Sequence, residues 1–185
     1  MKRFLLLVLT AALLLPGCRT NKTAVQSQVP ETTAQAQQTG TNFSEQTTWV
    51  LGYFTRQQLS SPPHSEWFMK GYDEYSFNTE AVNKLTDISK EGITIKIVMG
   101  SWCPDSRREV PRFMRILDIW QFPADKITWI GVDNSKLSPV GEYESLDIQR
   151  VPTFIFYKNN VEAGRIIENP VTSLEQDIVN ILVKE

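Results

Sequence analysis

Ser101-Trp102-Cys103-Pro104-Asp105-Ser106 stands between two segments of different character. Before it, after Gly92, run Ile93-Thr94-Ile95-Lys96-Ile97-Val98-Met99, β-branched and mostly apolar, the pattern of a largely buried strand. After it, Val110, Phe113, Met114, Leu117 and Ile119 predict the buried side of a helix from about Cys103 to Trp120. Cys103 therefore falls at a strand-to-helix junction, where unpaired backbone N–H groups and the helix dipole favour an anion. An unperturbed thiol of pKa ~8.5 is only about 3% thiolate at pH 7, and a two-unit depression makes it about 75% thiolate. Arg107, with Arg108 beside it in the first turn, is the candidate to tune the thiol. Ser106 is placed to donate a hydrogen bond to the thiolate, and Asp105 works against it. A lone cysteine is commonly an inert buried residue; one between Trp and Pro at such a junction reads as a nucleophile.

Upstream, Trp49, Leu51, Phe54, Leu59, Trp67, Phe68, Tyr72, Tyr75 and Phe77 make an aromatic-rich segment interrupted by Ser60-Ser61-Pro62-Pro63. Two short helices are expected there, at 49–59 and 64–72, packing on the rest of the domain. His64, directly after the prolines, is expected in an exposed loop or helix start. Asn78 caps a helix over 79–90, with Ala81, Val82, Leu85 and Ile88 at helical spacing. Downstream, Ile127 to Asp133 reads as a second strand, and 141–147 as a short helical stretch. Val151-Pro152-Thr153 then leads into a strand through Tyr157. Asn159-Asn160 is a turn signal and 161–168 its hairpin partner. Thr172 is the expected cap of a final helix carrying Leu174, Ile178, Ile181 and Leu182. The order is α/β, a mixed sheet with helices on both faces and an added helical extension at the N-terminal side.

Over about residues 77–185 the chain resembles the thioredoxin-like superfamily. Trp102-Cys103 followed by two residues stands where that family has Trp-Cys-x-x-Cys. Pro111 falls where its active-site helix carries a kinking proline. Val151-Pro152-Thr153 matches its cis-proline loop, which faces the cysteine and pairs with the backbone of bound substrates. The resemblance implies a three-layer fold around a central mixed sheet, with Cys103 and Ser106 as catalytic positions. It also implies a substrate groove formed by Trp102, Pro104, Val151 and Pro152. Two departures limit the chemistry. Ser106 replaces the second cysteine, and Ile97 replaces the acid that the family buries as a proton relay. A dithiol cycle cannot run within the domain, which leaves monothiol exchange completed by an outside thiol. The alternative is a non-catalytic module that binds a partner peptide beside Pro152; peroxide reduction through a Cys103 sulfenic acid is a third reading.

The N-terminus predicts where the protein works. Lys2 and Arg3 precede an apolar run of about a dozen residues, too short for a bilayer core of roughly 30 Å and of signal-peptide length. It ends in Leu15-Pro16-Gly17-Cys18, which resembles the lipobox of bacterial lipoproteins. The expected organisation is a signal peptide over 1–17 and a tether over 18–46, lipidated at Cys18 and rich in Thr, Gln, Ala and Ser. A thioredoxin-like domain follows over 47–185, divided into a helical extension (47–76) and a core (77–185). The expected location is the bacterial cell envelope, outside the cytoplasm, with the lipid as membrane anchor. The expected partners are protein or small-molecule thiols and disulfides. A net charge of −2 offers no basic footprint for nucleic acid. One histidine and two cysteines in 185 residues offer no metal constellation, and no cofactor motif is present.

Overall fold

The computed structural model describes residues 48–184; the signal segment, Cys18 and the tether lie outside the described residues. Five strands form one mixed sheet in the order β1-β3-β2-β4-β5. At its centre is β2 (Ile93–Met99), the β-branched run before the cysteine motif. It pairs parallel with β3 (Ile127–Gly131), setting Ile97 beside Trp129. On its other side it pairs antiparallel with β4 (Thr153–Lys158), setting Ile97 beside Phe154. β4 turns through Asn159 and Asn160, both at positive φ, into β5 (Val161–Ile167). These residue types accept the left-handed backbone that tight hairpins need. The opposite edge is β1 (Gly52–Phe54), antiparallel to β3.

Strand alternation sends side chains to two unequal layers. Ile93, Ile95, Ile97 and Met99 of β2 join Phe154 and Phe156 of β4 in the larger cluster. The helices bury their apolar sides in that same cluster: α1 (Arg56–Leu59), α2 (Ser65–Glu74), α3 (Thr79–Thr86), α4 (Pro104–Ile119) and α5 (Leu174–Leu182). Val98, Ile130 and Ile155 point the other way. They meet Val140, Tyr143 and Leu146, from a 3-10 turn at Tyr143–Leu146 and the loop before it. The fold is thioredoxin-like, with its second helical layer reduced to that single turn. Among the described residues, no helix is long and apolar enough to cross a membrane.

Several local expectations are corrected. Residues 49–59 do not form one helix: Gly52 has φ +73° and its strand is claimed by the free edge of β3, so the helix begins only after the extended Thr55. Tertiary pairing overrides local periodicity here. His64 is not an exposed loop residue; it is buried at the start of α2. The helix capped by Asn78 ends at Thr86, short of 90, because the chain must turn through Gly92 at φ +68° to enter β2. α5 is capped by Ser173, whose Oγ accepts from the Gln176 N–H, while the Thr172 N–H donates to Asp177 Oδ1. In α4, Ile116 is fully buried and Ile119 only half-buried.

Candidate functional site

The parallel β2–β3 pair ends at Met99 and Gly131, and the Val132 N–H closes on the Met99 carbonyl at 3.0 Å. Beyond that point the chain reverses into α4. The Cys103 N–H bonds the Gly100 carbonyl at 2.9 Å, and the Arg107 N–H bonds the Cys103 carbonyl at 3.0 Å. Cys103 is thus the N-cap of α4, with extended backbone (φ −79°, ψ 126°) and Pro104 as the first helical residue. Proline suits that position because its missing N–H is one the helix would leave unpaired. Glycine suits position 100 because a Cβ there would lie 2.6 Å from the Trp102 indole, which folds back over it.

Cys103 is a free thiol with 7% of its surface exposed, and its Sγ donates to the Val151 carbonyl at 3.3 Å. The Val151–Pro152 bond is cis. Both residues are buried, and the Pro152 carbonyl is held by the Glu168 N–H at 2.8 Å. Cys103 and the Val151–Pro152 loop, 48 residues apart in sequence, are therefore brought together as the resemblance implies. Trp102 stands beside them, half-buried, its Nε1 donating to the Val132 carbonyl at 3.0 Å. Pro104 lies at the exposed rim.

Ser106 is fully buried, and its Oγ accepts the Gly100 N–H at 3.3 Å. The hydroxyl thus fixes the loop that carries the cysteine. Arg107 takes a place not foreseen for it: its Nε donates to the Ser101 carbonyl at 2.6 Å and its guanidinium lies 5.9 Å from the Trp67 ring centroid. Around the rim, Arg108 pairs with Asp105 at 2.8 Å and with the buried Glu109 at 2.6 Å, and also bonds Asn169. Glu109, then Asp105, hold the Arg108 guanidinium above its ordinary pKa against the opposing effect of burial. Arg150 pairs with Glu168 at 2.8 Å, on the far side of the proline loop. Arg108 and Arg150 are thus neutralised by these carboxylates, whereas the Arg107 side chain bonds only a carbonyl among the described residues.

Three contributors come from the segment read as an appended extension. Ser101, 1% exposed, accepts the Val50 N–H on its Oγ at 3.0 Å. Trp49 meets the Trp102 ring at 6.5 Å between centroids. His64 lies 5.9 Å, edge-on, from Trp67, and its imidazole hydrogen-bonds the Thr48 backbone. Burial lowers its pKa, the hydrogen bond to the Thr48 backbone opposes that, and the positive charge of Arg107 adds a smaller lowering. No sequence signal marks the Val50–Ser101 and Trp49–Trp102 links, because each joins residues far apart in the chain. The aromatic richness of 49–77 was the nearest trace of them.

No protein-family pattern matches the chain, and no curated protein does. Solved structures of similar shape exist. A Pseudomonas aeruginosa protein of unknown function is 13% identical, over 64% of this chain and 78% of its own, with a TM-score of 0.44. Oxidised thioredoxin O1 from Arabidopsis thaliana is 21% identical, over 60% and 96%, with a TM-score of 0.36. Thioredoxin from Trypanosoma brucei brucei is 20% identical, over 59% and 89%, with a TM-score of 0.35.

Proposed function

We propose that this chain is a monothiol thiol–disulfide exchange protein of the reductase or isomerase type, with Cys103 as its nucleophile. The carrying observation is the meeting of Cys103 Sγ with the Val151 carbonyl at the N-terminus of α4. In the resting state the thiol proton sits between sulfur and that carbonyl. Once the proton is lost, the helix N-terminus faces the thiolate. The thiolate attacks one sulfur of a substrate disulfide. A Cys103–substrate S–S bond forms, the substrate S–S bond breaks, and the departing sulfur leaves as a thiolate that takes a proton from water.

Ser106 has no sulfur with which to resolve this mixed disulfide. A second thiol, from the substrate itself or from a low-molecular-weight thiol, attacks it and releases Cys103. With a substrate thiol the result is isomerisation and no net redox change. With two equivalents of outside thiol the substrate is reduced and those thiols are oxidised. Ser106 holds Gly100, while Trp102 and Pro104 flank the approach to the sulfur and the Val151–Pro152 backbone lines it. The same reading places the domain on a lipid at Cys18, in the cell envelope, after removal of residues 1–17; this rests on the signal pattern and the lipobox-like Leu15-Pro16-Gly17-Cys18.

The test uses the full chain with Cys18→Ser, which leaves Cys103 as its single thiol. Incubation with glutathione disulfide should give a Cys103–glutathione adduct by intact mass, and added glutathione should discharge it. Cys103→Ser should do neither. A chain that forms no adduct at pH 7.5 while remaining folded would favour the peptide-binding reading, for which the near-complete burial of Cys103 is the supporting observation.

A further inference from the structure

His64 is the single histidine of the chain, it is buried, and the exchange chemistry above makes no use of it. Its ring abuts Trp67; the Trp67 ring in turn carries the Arg107 guanidinium. Arg107 Nε grips the Ser101 carbonyl, two residues before Cys103. The Ser101 hydroxyl holds Val50, and the His64 imidazole holds the neighbouring Thr48 backbone. A closed ring of contacts thus runs from α2 through α4 to the cysteine loop and back through residues 48–50.

We propose that His64 is a positioning residue for Cys103: with Trp67 it seats Arg107 on the Ser101 carbonyl, and a proton on its ring loosens the loop and uncovers the sulfur. The inference rests on Cys103 being the reactive atom and adds a control on its exposure. The charged group facing the ring is Arg107 of α4. The groups that share its groove from the 48–51 segment and the turn before α2 are neutral: Thr48, Trp49, Pro62 and Pro63. Among the described residues, no carboxylate acts on the buried ring to balance a second positive charge beside Arg107. The neutral ring fits the closed loop; the charged ring favours separation of α2 from Arg107. In the closed state burial and, less strongly, Arg107 act against protonation while the Thr48 hydrogen bond acts for it; the net effect is against, and the binding preference of the proton for the open state sets how far the loop shifts. Each unit of pKa difference between open and closed states shifts the opening equilibrium about tenfold.

The experiment again uses the full chain with Cys18→Ser. A single histidine gives a single Hε1 resonance, so NMR titration reads the His64 midpoint directly. In parallel, the rate of Cys103 with 4,4′-dithiodipyridine is followed from pH 4.5 to 8. There the thiolate displaces thiopyridone by breaking the probe's S–S bond, so the readout needs no enzymatic turnover. Divided by the rate of His64→Phe at each pH, the rate should be flat above pH 7 and rise about tenfold below the NMR midpoint. Arg107→Gln should move the NMR midpoint upward and, with the grip on Ser101 gone, abolish the kinetic inflection, an outcome that keeps the test decisive where His64→Phe does not fold. A ratio flat across the range, an inflection that stays when the midpoint moves, or a sulfur unreactive at every pH would each overturn the proposal. Failure of the glutathione adduct alone would instead remove the exchange reading and leave this one standing.

Discussion

Ser101 uses its two oxygens to join two parts of the chain that sequence distance keeps apart. Its carbonyl accepts from Arg107 and its hydroxyl accepts from the Val50 N–H, which is buried. Ser106, five residues on, does the same for Gly100. Both serines flank the cysteine and serve the backbone. At position 106 this explains what the hydroxyl does in the absence of a second thiol. A buried N–H without a partner costs about 1–3 kcal/mol. Ser101→Ala should therefore lower unfolding free energy in urea by about that amount, and raise Cys103 reactivity as the loop loses its tie to residue 50. An unchanged denaturation midpoint together with an unchanged thiol rate would show that the Val50 contact has no energetic role.

At the scale of elements, α2 and α4 pack closely because of a glycine and a proline. A Cβ placed on Gly71 of α2 would lie 2.7 Å from Cγ of Pro111 in α4. The proline ring is rigid, so it cannot move aside as a flexible side chain would. Pro111 also removes one helical N–H, which leaves the Arg107 carbonyl four residues earlier without its usual donor. Gly71→Ala gains helix propensity of up to about 1 kcal/mol, yet overpacking costs typically about 1–3 kcal/mol, so net destabilisation is expected. A thermal midpoint raised by the substitution would refute the close fit.

Most of the elements were legible because their signals are local. β2 is a continuous β-branched run, the hairpin has Asn-Asn at its turn, and Asn78 carries its own cap. The junction of Cys103 with Val151–Pro152 was legible through the family resemblance alone, since nothing local joins positions 48 residues apart. β1 was not legible. Its three residues gain strand character from the β3 edge, and Gly52 can take φ +73° where the surrounding pattern suggests a helix. Nor was the burial of His64, which the packing of α2 on α4 decides and the adjacent Pro-Pro pair obscures.

For the whole molecule, the question is whether residues 48–76 are an appendage or part of the folding unit. They supply the edge strand β1, and they supply Leu59 and Phe68, both 0% exposed in the larger cluster. The Phe54 ring lies tilted, 5.4 Å from that of Trp129 of β3, and Arg56 pairs with Asp118 near the end of α4 at 2.8 Å. The surface pair counts for little, since exposed ion pairs contribute about 0–1 kcal/mol. The apolar groups count for more: a buried Leu or Phe side chain is worth about 1.5–3 kcal/mol each. Removing the segment would also expose the face of α4 against which α2 packs, and free the Val50 side of Ser101. Those losses together reach the whole stability of an ordinary domain, about 5–15 kcal/mol. A chain beginning at Phe77 should therefore fail to unfold cooperatively in urea and should bind the hydrophobic dye ANS at neutral pH, whereas a chain beginning at Thr41 should match the full-length protein. The decisive comparison is the steepness of the urea transition, because it scales with the surface exposed on unfolding. If the shorter chain shows a sharp transition at an undiminished midpoint, residues 48–76 are an appendage after all, and the His64–Trp67–Arg107 contacts are dispensable for the Cys103 loop.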